Sequence, residues 1–323
     1  MKKAVLYSSL LAILLILCFL WAISTGSVHI SLSDALAYLT GRAGAQDHDI
    51  VMKIRLPRII FAVLVGGMLA VSGVILQALL KNPLVDPFIT GISSGAAFGA
   101  ACAMIAGMSA LIAPSMAGAL LTMYFVYRIS KIKGSLNITV LLLTGVMAGS
   151  FFSSLIMLLN AVYSRDLVKV MLWLMGDLSN INASMALYAA AIALLIIVFA
   201  MYFGNDLNIL TTGEAEAKTL GVNVEFIKVS YFIAASLLTA VSVALSGVIG
   251  FVGLIIPHII RFFTGPDTRV LVPCSFLAGG VFLLASDTLA RTLFLPGEIP
   301  VGVITGLIGV PVFIFLMLRK KAV

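Results

Sequence analysis

Hydrophobic runs recur along this chain from Leu6 to Leu318, broken only by short polar joints. A hydrocarbon core of about 30 Å takes about 20 helical residues to cross. On that measure single crossings are predicted near residues 5–24, 59–80, 138–161, 184–203, 270–290 and 300–318. The stretches 88–127 and 227–265 are too long for one crossing and accommodate two each. The pattern predicts an all-α integral membrane protein with about ten transmembrane helices, forming a single membrane domain over residues 1–323.

Charge adds a direction to that count. An even number of crossings puts both termini on one side. Lys2 and Lys3 at the start and Arg319, Lys320 and Lys321 at the end place that side in the cytoplasm by the positive-inside rule. Arg128, Lys131 and Lys133 then fall inside and residues 27–53 outside. The net charge of +7 is therefore a topology signal and no pointer to nucleic acid. Lys2 and Lys3 ahead of an apolar run also resemble a signal peptide, but no convincing small-residue cleavage site follows Trp21, so the run is read as a retained helix. Cys18, Cys102 and Cys274 lie in apolar segments without paired or metal-ligand spacing. The glycines and alanines spread through the helices suit close helix packing.

An internal match suggests duplication. Ser72-Gly73-Val74-Ile75 recurs as Ser246-Gly247-Val248-Ile249, and at the same offset Ala70 matches Ala244, Pro83 matches Pro257, and Phe88, Thr90 and Gly91 match Phe262, Thr264 and Gly265. Five crossings separate the copies, so the second runs in the opposite sense: an inverted repeat, with halves near residues 59–161 and 228–318. Transporters of that design interrupt helices where backbone lines a cavity, and Pro83, Pro87 and Pro257 are read as such interruptions.

The crossings are nearly free of charge, which speaks against a proton- or ion-coupled carrier with buried carboxylates or histidines. Asp86, Asp287, Arg291 and Glu298 fall at predicted helix ends, where capping or snorkelling accounts for them. His258 is a lone histidine beside a proline, and a metal site needs several convergent ligands. No G-x-x-x-x-G-K-[ST] loop is present to cradle phosphate. If ATP drives this protein, another chain hydrolyses it. A membrane-embedded transferase would need clustered carboxylates for metal and diphosphate; the Asp47-His48-Asp49 trio reads instead as a solvated external turn.

Several segments become specific when taken in order. Arg55-Leu56-Pro57-Arg58 opens the second helix. Lys81-Asn82-Pro83-Leu84-Val85-Asp86-Pro87 and Gly91-Ile92-Ser93-Ser94-Gly95-Ala96 join the second and third. Gly213-Glu214, Ala217 and Leu220-Gly221-Val222 occupy the longest internal loop. The run from Gly250 to His258, Ser286-Asp287, Ala290-Arg291, Glu298-Ile299-Pro300-Val301-Gly302 and Gly309-Val310-Pro311-Val312-Phe313 complete the series. This ordered set resembles the FecCD family, the permease subunits of binding-protein-dependent ABC importers for iron chelates, haem and cobalamin. The resemblance covers nearly the whole chain.

It implies the type II ABC importer permease architecture, a likeness to transport subunits rather than enzymes, and a homodimer with two cytoplasmic ATPase subunits and an extracytoplasmic substrate-binding protein. ATP and magnesium would sit on the partners, with no cofactor or metal on this chain. The expected location is a prokaryotic inner (cytoplasmic) membrane, with membrane lipid around the chain. The cargo class is ferric siderophore, haem or a corrinoid, with molybdate and related oxyanions as an alternative, and an ion-coupled secondary carrier as the rival class. Arg55, Arg58 and Arg291, whose positive charge at the outer mouth opposes the topology bias, are implied to dock acidic residues of the binding protein. Gly213, Glu214, Ala217, Leu220 and Gly221 are implied to form the segment that couples to the ATPase, with Gly221 turning between two short helices. Asn137, Ile138 and Thr139 align with the cytoplasmic gate, although Ile138 departs from the small hydroxyl residues expected there. The external stretch from Tyr163 to Asp177, with Arg165, Asp166, Lys169 and Trp173, reads as a short amphipathic helix bordering the cavity mouth or anchoring at the interface.

Overall fold

The computed structural model describes residues 2–39, 47–163, 167–179, 183–295 and 297–321. Eight of its helices are long and apolar enough to cross a membrane, and two shorter apolar helices lie between them. In chain order the elements are α1 Lys2–Ser24, α2 Leu32–Leu39, α3 Asp47–Leu79, α4 Ile92–Ile105, α5 Ile112–Ser130, a hairpin of β1 Lys131–Ile132 and β2 Ser135–Leu136, α6 Ile138–Val162 and α7 Leu167–Leu174. They continue with α8 Ala183–Tyr202, α9 Gly204–Thr212, α10 Glu214–Thr219, α11 Val224–Ser246, α12 Val252–Thr264, α13 Thr268–Thr292 and α14 Val301–Lys321. The hairpin pairs Lys131 with Leu136 and Ile132 with Ser135.

Each of the two over-long apolar stretches divides into a long helix and a short one. At 1.5 Å per residue α4 and α12 reach only about 20 Å, less than the hydrocarbon thickness. Neither crosses as helix alone. A single 3₁₀ turn at Pro87–Thr90 precedes α4, and non-helical residues 247–251 precede α12. Non-helical backbone at that depth is tolerable where it is buried in protein. Both segments pack on α3, the most enclosed helix of the bundle, with α11 and α13 beside it. The apolar sides of α1, α5, α6, α8 and α14 face outward.

Close contact at the centre depends on missing side chains. A Cβ on Gly66 of α3 would fall 2.2 Å from the Gly279 carbonyl oxygen of α13, and one on Gly279 would fall 2.3 Å from the oxygen of Gly66. The backbones touch there, which is how helices associate when lipid offers no hydrophobic drive between them.

Three local expectations change. The second crossing begins at Asp47 rather than near residue 59, because the helix accommodates Pro57 instead of starting at it. The turn over Ile50–Arg55 is widened, and the Leu56 N–H reaches back five residues to the Val51 carbonyl. Pro257 does not interrupt its helix either: it lies inside α12, and the break is upstream, at residues 247–251. The carbonyl that a proline leaves unbonded four residues back is that of Gly253. It accepts instead from the Gln77 side-chain amide of α3 at 3.2 Å.

The repeat, third, is visible in helix order, long, short, long, long, over α3–α6 and again over α11–α14. The residue match noted above is out of phase with that order. Ser72–Ile75 is helical within α3, whereas Ser246–Ile249 closes α11 and enters the break; Thr90-Gly91 precedes α4, whereas Thr264-Gly265 follows α12.

Candidate functional site: two polar ends of the bundle

Arg55, Arg58 and Arg291 lie together at one end, and the structure corrects their expected character. They are buried, at 3%, 8% and 6% exposure. Each has partners within the chain. Arg55 donates to the Ile23 carbonyl at 2.7 Å and to the Val28 carbonyl, closing the link between α1 and α2. Arg58 grips Asp287 with Nε and Nη2 at 3.0 and 2.9 Å, and Glu298 with Nη1 at 2.9 Å. Arg291 Nε lies 3.1 Å from the other Asp287 oxygen, without hydrogen-bond alignment.

Asp287, expected to cap a helix end, is instead a fully buried carboxylate inside α13, shared between two guanidinium groups. Only Glu298, with a side chain 51% exposed, faces out of the network. An open cavity of about 490 Å³ adjoins it, lined by Arg58, Glu298, Pro300 and, from α7, Lys169 and Trp173. The helix expected between Tyr163 and Asp177 is therefore present at a cavity mouth; Arg165 and Asp166 lie outside the described residues.

The opposite end carries the other two candidate groups. Residues 204–219 form two short helices, α9 and α10, separated at Gly213, where the backbone is extended. The sequence placed that turn at Gly221. Gly221 instead turns α10 into α11 with φ +83°, and nothing lies within 4 Å of where its Cβ would be. Glycine is there for the left-handed backbone, not for space.

The segment is anchored at both ends. Asn208 of α9 donates to Asp267 at 2.9 Å and accepts from the Thr268 N–H at 3.0 Å, tying α9 to the start of α13. Hydrogen bonding from the Arg269 side chain, assisted by Asn208, holds the Asp267 carboxyl down to about 2. Ala217 is fully buried while the other residues of α10 are exposed, and Leu220, just past its end, is 68% exposed, so the segment has one packed side and one presented side.

Asn137, Ile138 and Thr139 open α6. Asn137 is its N-cap, accepting the Val140 N–H at 3.1 Å. Asn137 and Thr139 are exposed. Behind them, the turn at Pro87–Thr90 packs against α6 so closely that a Cβ on Gly145 would fall 2.6 Å from the Ile89 carbonyl oxygen. Asp86 caps that turn by accepting from the Phe88 N–H at 3.0 Å. Desolvation pushes the Asp86 carboxyl up to about 6, against the pull of the Phe88 and Phe251 backbone N–H groups.

Sequence reasoning missed Lys228, a cation inside the first turns of α11 that draws together this whole end. The available signal was a lysine three positions after Glu225 on the opening turn of an otherwise apolar helix. Among the described residues no group of three or more His, Cys, Asp or Glu could hold a metal ion.

The comparisons with known proteins bear on what such a bundle does. The chain is 40% identical to an uncharacterized ABC transporter permease protein, YvrB, of Bacillus subtilis (strain 168), covering 97% of this chain and 92% of that one. It is 38% identical to the hemin transport system permease protein HmuU of Yersinia pestis, covering 97% and 96%. A solved chain described as an inward-facing conformation of a metal-chelate type ABC transporter superposes with a TM-score of 0.86 at 32% identity, covering 98% of this chain and 99% of that chain. The model of the FecCD transport family matches residues 14–319. With helix order and match running together over nearly its full length, the chain is a multi-pass membrane protein that belongs to the FecCD transport family.

Proposed function

We propose that this chain is the permease subunit of an importer for a metal chelate of the siderophore, haem or corrinoid class. Its cargo path lies between two copies of the chain. Transport is powered by two ATPase subunits in the cytoplasm and supplied by a substrate-binding protein on the far side. The chain itself carries no catalytic residue and no cofactor; ATP and magnesium belong to the ATPases. The family match over residues 14–319 carries this reading. The likeness to the haem permease and to the metal-chelate transporter favours the cargo class.

The polar ends divide the partners between them. The α9–α10 segment, with Gly213, Glu214, Ala217, Leu220 and Gly221, meets the ATPase. Its exposed Leu220 beside a buried Ala217 suits a helix laid into a groove. Asn137, Ile138 and Thr139 form the gate at the same end. Lys2, Lys3 and the basic C-terminus support reading this end as the cytoplasmic one, and the membrane is read as a prokaryotic inner membrane.

The arginine end meets the binding protein, and it does so as a braced surface. Arg58 and Arg291 reach the partner only as Glu298 and Asp287 share them. The outward apolar side of α6, with Met147, Phe151 and Met157 each at least 60% exposed, suits a second permease copy. Residues 59–161 and 228–318 act as the two repeat halves around the path.

Co-purification tests the division. A cognate ATPase co-expressed with this chain should copurify with it in detergent, and Leu220→Asp should abolish that association while leaving insertion intact. Equal recovery of ATPase with Leu220→Asp would remove α10 from the interface.

A further inference from the structure

Lys228 stands near the start of α11 with its side chain 2% exposed. Its ammonium group is surrounded by oxygens from separate parts of the chain: the Leu136 carbonyl at 2.6 Å, Glu214 Oε1 at 3.1 Å, Ser135 Oγ at 3.3 Å and Glu225 Oε2 at 3.8 Å. A lysine has three protons to donate, and these acceptors use them all. Glu225 completes the arrangement from the other side. It accepts from the Ser135 hydroxyl at 2.9 Å and from the Leu136 N–H at 2.9 and 3.0 Å. Both main-chain polar groups of Leu136 are thus held by α11, the N–H by Glu225 and the carbonyl by Lys228.

The positions of the two clamped residues give the arrangement its meaning. Leu136 immediately precedes Asn137, the N-cap of α6. Glu214 is the first residue of α10. One buried ammonium therefore bridges the beginning of α10 and the beginning of α6. A buried charge tolerates little departure from its partners, because an unpaired one has no water to fall back on. Displacement of α10 pulls Glu214, Glu214 pulls Lys228, and Lys228 carries Leu136 with it.

We propose that Lys228 is the positioning residue that transmits movement of α10 to the start of α6, through Glu214 on one side and the Leu136 carbonyl on the other. This rests on the reading above that α10 meets an ATPase and that residues 137–139 form the gate. Glu225 fixes the hairpin to α11, and Glu214 is the removable arm of the link, with a side chain 44% exposed.

The test uses the permease assembled with its ATPases in nanodiscs. Cys18, Cys102 and Cys274 are replaced and Thr139→Cys serves as a reporter, labelled by a thiol reagent with and without ATP plus vanadate. Lys228→Gln should lower the ATP-dependent change in labelling rate at least fivefold, with ATPase association and ATP hydrolysis kept within twofold of the parent. Glu214→Gln, read only in the fraction that retains bound ATPase, should lower the response likewise, and it decides the matter if Lys228→Gln does not fold. An unchanged ATP response in either variant overturns the proposal. Loss of ATPase association in a folded Lys228→Gln overturns it too, because Lys228 would then shape the interface itself. A parent that shows no ATP response would sink the gate assignment and the proposal with it, an outcome distinct from a responsive parent with an equally responsive variant.

Discussion

Replacing Asp287 with Asn exposes how the arginine end is held. Asp287 is fully buried and is approached by Arg58 at 2.9 Å and by Arg291 at 3.1 Å. Asn keeps the volume and removes the charge, which leaves two enclosed guanidinium groups with one carboxylate, Glu298, reaching only Arg58. Breaking a buried pair by removing one partner costs about 3–5 kcal/mol, because the remaining charge stays desolvated. Glu298→Gln removes a charge whose side chain is half exposed. Pairs of that kind are worth about 0–1 kcal/mol. Asp287→Asn should therefore destabilise the fold several times more than Glu298→Gln. Unfolding in mixed micelles titrated with SDS, followed by circular dichroism, measures both. The double variant Asp287→Leu with Arg291→Met should recover part of the loss, since it removes one stranded cation and refills the space. The reasoning fails if Asp287→Asn costs no more than Glu298→Gln, or if the double variant is less stable than Asp287→Asn alone.

Gly221→Val should uncouple transport while the chain stays inserted, because φ +83° costs a β-branched residue about 1–2 kcal/mol in a turn with no steric crowding; Gly221→Asn, which tolerates that backbone, should retain most uptake. Gly66→Val should block folding, since its Cβ would fall 2.2 Å from the backbone of α13, and the read-out is loss of monodisperse protein after extraction. Asp86, with its carboxyl pushed up to about 6, binds its proton more tightly folded than unfolded. Its contribution to stability is present below about pH 4 and is lost as pH rises through about 6. Asp86→Asn keeps a side-chain cap and should flatten that part of the melting profile; an unchanged slope would refute the desolvated carboxyl.

The long helices were legible because a membrane demands about 20 apolar residues wherever one crosses. The division of residues 88–127 and 227–265 into a long and a short helix was not, because hydropathy is blind to buried irregular backbone. Pro257 illustrates the limit. A proline in an apolar run reads as a break, yet the structure keeps the helix by supplying Gln77 from α3 to the carbonyl that Pro257 leaves free. The site shows the same division. Asn137 and the Gly213–Gly221 segment were singled out by the resemblance of ordered motifs, but the cap at Asn137 was not foreseen and the turn between the two short helices falls at Gly213 rather than Gly221. Arg58 is 229 positions from Asp287 and 240 from Glu298, and the pairing exists only after α3 and α13 pack. Lys228 escaped notice because two of its acceptors, Ser135 Oγ and the Leu136 carbonyl, belong to a hairpin 93 and 92 residues away.

Uptake into proteoliposomes tests the central claim most directly. The permease is reconstituted with its ATPases, its binding protein is supplied outside, and radiolabelled ferric siderophore, haem and cobalamin are offered in turn. Accumulation of one of these chelates should require both internal ATP and the binding protein, and the permease alone under a proton or sodium gradient should accumulate none. Gradient-driven uptake by the lone chain, or accumulation that persists without ATP, would contradict the account.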